Sequence, residues 1–161
     1  MPENEYDPLL GSAAECTEEC VSKPALDEEQ RKKIADRIIR VMDDTKEYCR
    51  MEFSLEDMAR LVESNTRYVS QTINETFGKN FRSFINDYRV EEASLRLMDI
   101  ENYGNFTIKA IAESVGYKSH TNFIEIFKKS TGMTPSTYRK IAIEHKKDIQ
   151  KIPDSRISEN S

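Results

Sequence analysis

Two sets of side chains that can hydrogen-bond to planar heterocycles stand at matched places in the chain. In the first, Arg67 can bridge guanine O6 and N7, and Gln71 can bridge adenine N6 and N7. In the second, His120 can donate to guanine, Thr121 can contact the thymine methyl group, and Glu125 can accept from cytosine N4. The candidate base-contact sets are Thr66, Arg67, Ser70 and Gln71, and, at an offset of 54, His120, Thr121, Ile124 and Glu125. The alternative for each set is an ordinary solvated helix face.

A further group of side chains is suited to phosphate oxygens. Ser54 and Thr107 each precede a helical pattern, where a hydroxyl and the backbone amides that follow it can bind an anion. The other candidates are mostly basic and lie near the same segments: Lys79, Arg82, Lys118, Asn122, Lys128 and Lys129. Ordinary solubilising side chains are the alternative here.

Residues 107–139, which hold the second set, are predicted to form two short helices across a tight turn, followed by a capped third helix. Gly116 ends the first helix, Ser119 caps the second, and Thr134-Pro135 starts the third. The apolar positions recur at helical spacing: Ile108, Ile111, Ala112 and Val115, then Phe123, Ile126 and Phe127. Two helices across a glycine turn form a helix-turn-helix, whose second helix can enter the DNA major groove. A structural corner between two helices is the alternative for this stretch alone.

Residues 54–78 repeat this arrangement. Ser54 and Asp57 are predicted to form a capping box, Asn65 to cap the second helix, and Gly78 to end it. The apolar residues Leu55, Met58, Ala59 and Val62 match the first helix of the other unit at an offset of 53, and Val69 and Ile73 match its second helix at 54. The difference of one residue falls in the turn near Glu63. Duplication of a whole helix-turn-helix is hard to explain as chance packing.

An uninterrupted helix is predicted between the two units, over residues 81–99. It contains no glycine or proline, and its apolar face holds Phe84, Ile85, Tyr88, Ala93, Leu97 and Met98. About 18 residues span about 27 Å, at about 1.5 Å per residue. Such a helix would suit two recognition helices spaced about 34 Å apart, one turn of DNA. Residues 100–105, with Gly104, are expected to form the loop that follows.

The flanking regions differ in character. Residues 1–26 are expected to be a disordered acidic tail or linker, and residues 27–52 an amphipathic helix with Ile34, Ile38, Val41 and Met42 on one face. That helix is expected to pack on the following domain; pairing with a second chain is the alternative. The last helix runs from Pro135 to about Ile149, with Tyr138, Ile141 and Ala142 packing back, and residues 146–161 are expected to fray.

Composition excludes several classes of protein. The net charge is −5, but residues 1–30 hold nine acids against one base, which leaves +3 on residues 31–161. No apolar run approaches the about 20 residues of a membrane helix, and a cytoplasmic location is expected. Cys16, Cys20 and Cys49 lack a histidine at metal-ligand spacing, so no metal site, cofactor or enzymatic activity is expected. Alkyl transfer to one of these cysteines is the enzymatic alternative.

The chain from about residue 54 to 139 resembles the DNA-binding domain of the AraC/XylS family of bacterial transcription regulators. The motif of the second unit carries most of the resemblance: Ile111, Ala112, Val115, Gly116, Tyr117, Phe123, Phe127, Lys128, Gly132, Met133, Thr134, Pro135, Tyr138 and Arg139. The middle segment, from Asn86 to Leu97, is similar to the family's linker helix. In the first unit, Glu63 stands where the family often has glycine, and Thr66-Arg67-Tyr68 departs from the usual residues.

The resemblance implies an all-α fold of about seven helices, with two helix-turn-helix subdomains joined by a linker helix. We expect a DNA-binding domain over residues 53–145, preceded by the extra N-terminal helix and the acidic tail. The expected partner is double-stranded DNA, with RNA polymerase and a separate sensor protein or domain as further candidates, since no effector domain is recognisable in this chain. A helical protein-interaction module on the same fold is the alternative function.

Overall fold

The computed structural model describes residues 26–151, and within that range the chain forms eight α-helices and no strand. A 3-10 turn, Glu47–Cys49, lies between the first two helices. The helices are α1 Glu28–Thr45, α2 Leu55–Leu61, α3 Thr66–Phe77, α4 Phe81–Met98, α5 Ile100–Tyr103, α6 Ile108–Ser114, α7 His120–Thr131 and α8 Pro135–Gln150. The predicted fold is confirmed: α2–α3 and α6–α7 are helix-turn-helix units, and α4 joins them.

Side-chain caps set where the helices of both units begin. Ser54 and Asp57 form a reciprocal capping box at α2, because each satisfies a backbone amide that the first turn leaves free. The predicted caps Asn65 and Ser119 accept from amides in the first turns of α3 and α7, and Thr107 does the same for α6. Thr134 caps α8, with Pro135 at its first position. These starts therefore follow from local sequence.

Two hydrophobic cores lie on either side of the middle of α4. The first is formed by α1, α2, α3 and the N-terminal half of α4, and includes Ile38, Met58 and Ile73. The second is formed by α6, α7 and the C-terminal half of α4, and includes Leu97 and Phe123. Each helix-turn-helix therefore packs on a different half of one continuous helix.

Polar contacts fix α4 to the segment before α2 and to the second unit. The Arg89 guanidinium donates to the carbonyl oxygens of Tyr48, at 2.6 Å, and Arg50, at 2.8 Å, and lies over the Tyr117 ring of the second unit. The Arg96 guanidinium pairs with Glu92 at 2.9 Å and donates to the Ser114 carbonyl at 3.1 Å. Both arginines therefore connect α4 to segments distant in sequence.

The N-terminal region differs from the prediction in two ways. Helix α1 does not continue to residue 52 but ends at Thr45, because Lys46 adopts a left-handed conformation with φ 53° and the 3-10 turn follows. Leu26, expected in the tail, is buried in the first core. The remainder of the predicted tail, residues 1–25, lies outside the described residues, as do residues 152–161.

The region after α4 also contains more helix than predicted. Residues 100–105 hold the one-turn helix α5 because the Asp99 side chain accepts from the Asn102 amide at 3.1 Å. Residues 146–150, expected to fray, continue α8, where Lys146 pairs with Glu101 at 3.7 Å. Met98, expected in the core, is 49% exposed because it follows buried Leu97 and points about 100° away around the helix.

Several other predicted packing residues are less buried than expected, among them two in α8 and one in α7. Ile126 and Ala142 are half-buried, and Ile141 is exposed. In α7 the inward positions are taken by Phe123 and Phe127, whose rings contact each other at a centroid distance of 5.5 Å. Ile126 precedes Phe127 and so lies at the margin of the second core.

Candidate nucleic-acid interface

The first predicted base-contact set lies on the N-terminal turns of α3. Arg67 is exposed, and Thr66, Ser70 and Gln71 are half-buried. The opposite face of α3 holds Val69 and Ile73, which are fully buried in the first core. A helix of this kind presents one polar edge at its N-terminal end, which is the end that recognition helices direct at base edges.

The second set lies at the equivalent place on α7. His120, Thr121 and Glu125 are exposed, whereas Ile124 is half-buried and packs against the second core. Phe123 and Phe127 anchor the helix from its buried side. Ile124 is thus the one member of this set that also contributes to packing, and any contact it makes with a base would use only its exposed part.

The turns that precede the two recognition helices place different residues in the same backbone conformation. Glu63 has φ 56° and Gly116 has φ 102°. Glycine adopts this left-handed region without steric cost, whereas glutamate does not. A Cβ at residue 116 would also approach the Arg89 guanidinium within 2.8 Å. The first unit therefore makes the same turn under backbone strain.

Gln71 is held in place by other side chains. Its Nε2 donates to Glu75 Oε2 at 2.7 Å, one turn further along α3. The other carboxylate oxygen of Glu75 accepts from Arg31 Nη1 of α1, also at 2.7 Å. This connection between α1 and the recognition helix could not be predicted from helical periodicity, since Arg31 and Glu75 are 44 positions apart.

The predicted phosphate-contact residues differ in exposure and in whether their side chains already have a partner. Arg82, Thr107, Asn122, Lys128 and Lys129 are exposed. The Thr107 hydroxyl caps α6, and the Ser54 hydroxyl is engaged on both sides with Asp57. Two of the lysines already form ion pairs, Lys79 with Asp87 and Lys118 with Glu52 at 3.3 Å. A phosphate that contacted either lysine would compete with a carboxylate.

Three of these residues, Arg82, Lys118 and Asn122, come together in one groove. The groove has a volume of about 500 Å³ and runs between the N-terminal half of α4 and the start of α7. Its other lining residues include Asn86 and Ser119. The groove joins side chains of α4 and the second unit, and its basic side chains together with the N-terminus of α7 favour an anion.

The residues that sequence reasoning missed are those that attach α4 to the segment between α1 and α2 and to the second unit. Arg89, Glu92 and Arg96 recur at helical spacing on one face, which was the available signal. Glu92 is only 6% exposed and is paired with both Lys46 and Arg96. Burial lowers the pKa of Arg89, although the guanidinium remains protonated in ordinary conditions. The burial of both charges in the Glu92–Arg96 pair indicates positioning rather than solubility.

Cys49 is the one cysteine within the described residues, and it is half-buried between the two cores. Burial raises the pKa of its thiol, and a protonated thiol is a poor nucleophile. Cys16 and Cys20 lie outside the described residues. Over residues 26–151, no group of three or more histidine, cysteine or carboxylate side chains could hold a metal ion. In the same range, no helix has the length and apolar character needed to cross a membrane.

Known proteins are similar to this chain in sequence and in the arrangement of their helices. The family model described as a helix-turn-helix domain matches residues 58–141. The HTH-type transcriptional regulator YtdP of Bacillus subtilis is 34% identical over 110 residues, which are 68% of this chain and 13% of that protein. The chain spans 13% to 37% of the length of the curated relatives it matches.

Two solved structures have the same fold. The C-terminal domain of the response regulator yesN from Fusobacterium nucleatum matches with 27% identity and a TM-score of 0.54, over 65% of this chain and 96% of that one. The C-terminal domain of AraT, a response regulator from Geobacillus stearothermophilus, matches with 26% identity and a TM-score of 0.56, over 68% of this chain and 84% of that one. The chain therefore belongs to the AraC-type helix-turn-helix family of transcription regulators.

Proposed function

We propose that this chain binds double-stranded DNA at specific sequences and so regulates transcription, with α3 and α7 each reading one of two successive major-groove segments. The observation that carries the proposal is that both recognition helices are packed on one continuous 18-residue helix. That helix is about 27 Å long at about 1.5 Å per residue, close to the about 34 Å of one DNA turn. Family membership supports the same function.

The proposed base contacts are the two polar sets at the starts of α3 and α7. Arg67 and Gln71 have the side chains for guanine and adenine in the first segment, and His120 and Thr121 for guanine and thymine in the second. Glu125 requires a cytosine partner, since phosphates would otherwise repel it. The equivalent positions in the two helices allow each unit to be tested separately.

The groove between α4 and the start of α7 is the proposed position for the DNA backbone between the two segments. Arg82 and Lys118 supply positive charge there, and Asn122 and Ser119 supply neutral hydrogen-bonding groups near the start of α7. Such contacts position a duplex without reading its sequence. Ser54, Thr107, Lys79, Lys128 and Lys129 are the proposed contacts at the outer phosphates.

The proposed function also implies a source for the regulatory signal and a partner in transcription. The response regulators matched above contain further domains beyond the C-terminal domains that align, and we propose that a separate sensor protein or domain supplies the signal here. RNA polymerase is the proposed partner in activation, and the cytoplasm the proposed location. We propose no catalytic role for this chain.

A helical protein-interaction module is the second candidate function. The observation that favours it is the charge of residues 54–139, which hold eleven acids and eleven bases. Two of the candidate lysines are also paired with carboxylates. A balanced surface gives little sequence-independent attraction to DNA, so an interaction with a protein is the competing use of the same helices.

Selection of bound duplexes from a randomised pool, followed by a salt titration in fluorescence anisotropy, separates the two functions. DNA reading predicts an enriched motif and an affinity that falls steeply with salt. Arg82→Ala and Lys118→Ala should each reduce the salt slope by about 1 without changing the motif. Arg67→Ala should relax one segment of the motif and leave the other unchanged. If no sequence is enriched and the salt response is flat, DNA reading is wrong.

A further inference from the structure

The base-reading edge of Gln71 is fixed by a chain of hydrogen bonds that begins on α1. Arg31 Nη1 donates to Glu75 Oε1 at 2.7 Å, and Gln71 Nε2 donates to Glu75 Oε2 at 2.7 Å. Arg31 is also bonded to Glu28 at 3.2 Å, within the first turn of α1. The chain thus runs from a helix outside the helix-turn-helix to the candidate adenine reader.

The chemistry of the three groups determines which way the Gln71 amide points. An ionised carboxylate can only accept, so the face of the amide turned to Glu75 must be its NH₂ group. One of the two N–H donors is used in this bond. The other N–H and the carbonyl oxygen remain, and these are the donor and acceptor that adenine N7 and N6 require. A free glutamine would rotate between two orientations with donor and acceptor exchanged.

We propose that Glu75 and Arg31 are specificity-determining positioning residues: they hold Gln71 in the orientation that reads adenine in the first DNA segment. This inference rests on the proposed function. Arg31 restrains the Glu75 carboxylate and neutralises its charge close to the DNA phosphates. Glu75 transmits that restraint to Gln71. Helix α1 thereby contributes to sequence preference without touching a base.

The second unit lacks an equivalent chain of contacts. Glu125 and Lys129 occupy the positions that match Gln71 and Glu75, at an offset of 54. In the described part of the chain neither residue forms an ion pair or a hydrogen bond with the other. The positioning effect is therefore confined to the first DNA segment, and preferences in the second segment serve as an internal reference.

Stability alone does not account for this arrangement. The Arg31 and Glu75 side chains are 24% and 42% exposed, and ion pairs that solvent reaches contribute little to folding. Removing them is therefore expected to change base preference more than it changes the unfolding transition. This difference makes the two roles separable by experiment.

The test compares the bound motifs of variants, selected from a duplex pool randomised over about two helical turns. Gln71→Ala identifies the position that Gln71 reads. Glu75→Ala and Arg31→Ala should each lower the preference for adenine at that same position about tenfold, which corresponds to one good base contact. Arg31→Lys, which keeps a donor and a charge, should retain most of the preference for adenine. Lys32→Ala, which removes an exposed charge from the next position of α1, should leave the motif unchanged.

The possible outcomes distinguish this inference from the proposed function. No enriched motif for the unmodified chain would refute DNA reading itself. A motif that Gln71→Ala alters and Glu75→Ala leaves intact would overturn the inference and keep the function. So would a motif that Gln71→Ala does not alter at any position. Thermal unfolding of Arg31→Ala shows whether that variant folds; if it does not, Arg31→Lys and Glu75→Ala still decide.

Discussion

Glu63 and Gly116 occupy the same backbone conformation in the two turns, with φ 56° and φ 102°. The sequence indicated the correspondence, because the apolar positions of the two units match around it. It did not indicate that a glutamate would adopt the same left-handed turn, because local preference disfavours it. The packing of α2 and α3 into the first core imposes the turn, and the strain is a consequence of that tertiary contact.

Glu63→Gly is therefore expected to stabilise the first unit. Relief of the left-handed conformation contributes about 1–2 kcal/mol, and the greater freedom of glycine in the unfolded chain removes about 0.5–1 kcal/mol. The expected net gain is between about 0 and about 1.5 kcal/mol in urea unfolding. The matched change Gly116→Ala should destabilise, because φ 102° is unfavourable and the new Cβ would lie within 2.8 Å of Arg89. A loss of stability in Glu63→Gly would mean that the carboxylate has a structural role.

Tyr117 is 3% exposed, and its hydroxyl has no hydrogen-bond partner among the described residues. Burial raises the pKa of Tyr117 from 10.0 to about 12. Below pH 10 the hydroxyl is protonated in both the folded and the unfolded state. Between about pH 10 and about pH 12 the unfolded chain ionises first, so the folded state loses stability relative to the unfolded state as pH rises through that range.

Tyr117→Phe should accordingly reduce the alkaline loss of stability by about 2–3 kcal/mol across that range, at about 1.4 kcal/mol per pKa unit. At neutral pH the same variant should be as stable as the parent or slightly more so, because it removes a buried hydroxyl without a partner. Urea unfolding of both proteins at a series of pH values measures the two effects. Parallel pH profiles for parent and variant would contradict this account of Tyr117.

At the scale of elements, α4 determines how the two units are related. Its N-terminal half belongs to the first core and its C-terminal half to the second. The sequence predicted this helix and most of its apolar face, because the pattern is local and uninterrupted. It could not predict that Arg89 would reach the carbonyls of Tyr48 and Arg50, since contacts between distant segments depend on how the helices pack.

The same limit explains the other differences between prediction and structure. The caps Ser54, Asn65, Ser119 and Thr134 act within one turn, and all were predicted. The end of α1 at Thr45 depends on the left-handed Lys46, whose ammonium pairs with buried Glu92 of α4 at 3.0 Å. Lys46 and Glu92 are 46 positions apart, so no pattern in the sequence near Lys46 indicates their contact. For the interface, sequence identified the helix faces, and the structure added the groups that position them.

Arg89→Ala should destabilise the protein by about 2–3 kcal/mol, because two charged hydrogen bonds to backbone carbonyls, one of them part-buried, are lost together. Arg89→Lys should recover only part of this, since an ammonium cannot reproduce the forked geometry of the guanidinium. Arg82→Ala is the matched control: the residue is on the same helix, two turns earlier, and is exposed. Equal unfolding free energies for Arg89→Ala and Arg82→Ala would show that Arg89 does not hold α4 to the 3-10 turn at Tyr48.

At the scale of the whole molecule, rigidity is the property that makes two recognition helices act together. Two short units on a flexible connection would bind DNA as tethered modules and tolerate a range of spacings. Here the connection is an unbroken helix on which both units pack, and Arg89 and Arg96 attach it to the segment before α2 and to the second unit. The proposed two-segment reading thus requires one spacing and one relative rotation of the DNA segments.

Changing the spacing of the DNA tests this rigidity directly. Once a preferred duplex is selected, inserting about five base pairs between its two segments places the second on the opposite face of the helix, and affinity should fall to that of a single unit. Inserting about ten base pairs restores the face but moves the segment about 34 Å further away. Because α4 cannot extend, we expect this second duplex to bind as weakly as the first. Recovery of affinity at the full-turn insertion, measured by fluorescence anisotropy at fixed salt, would mean that the two units are flexibly joined and that α4 does not set the spacing.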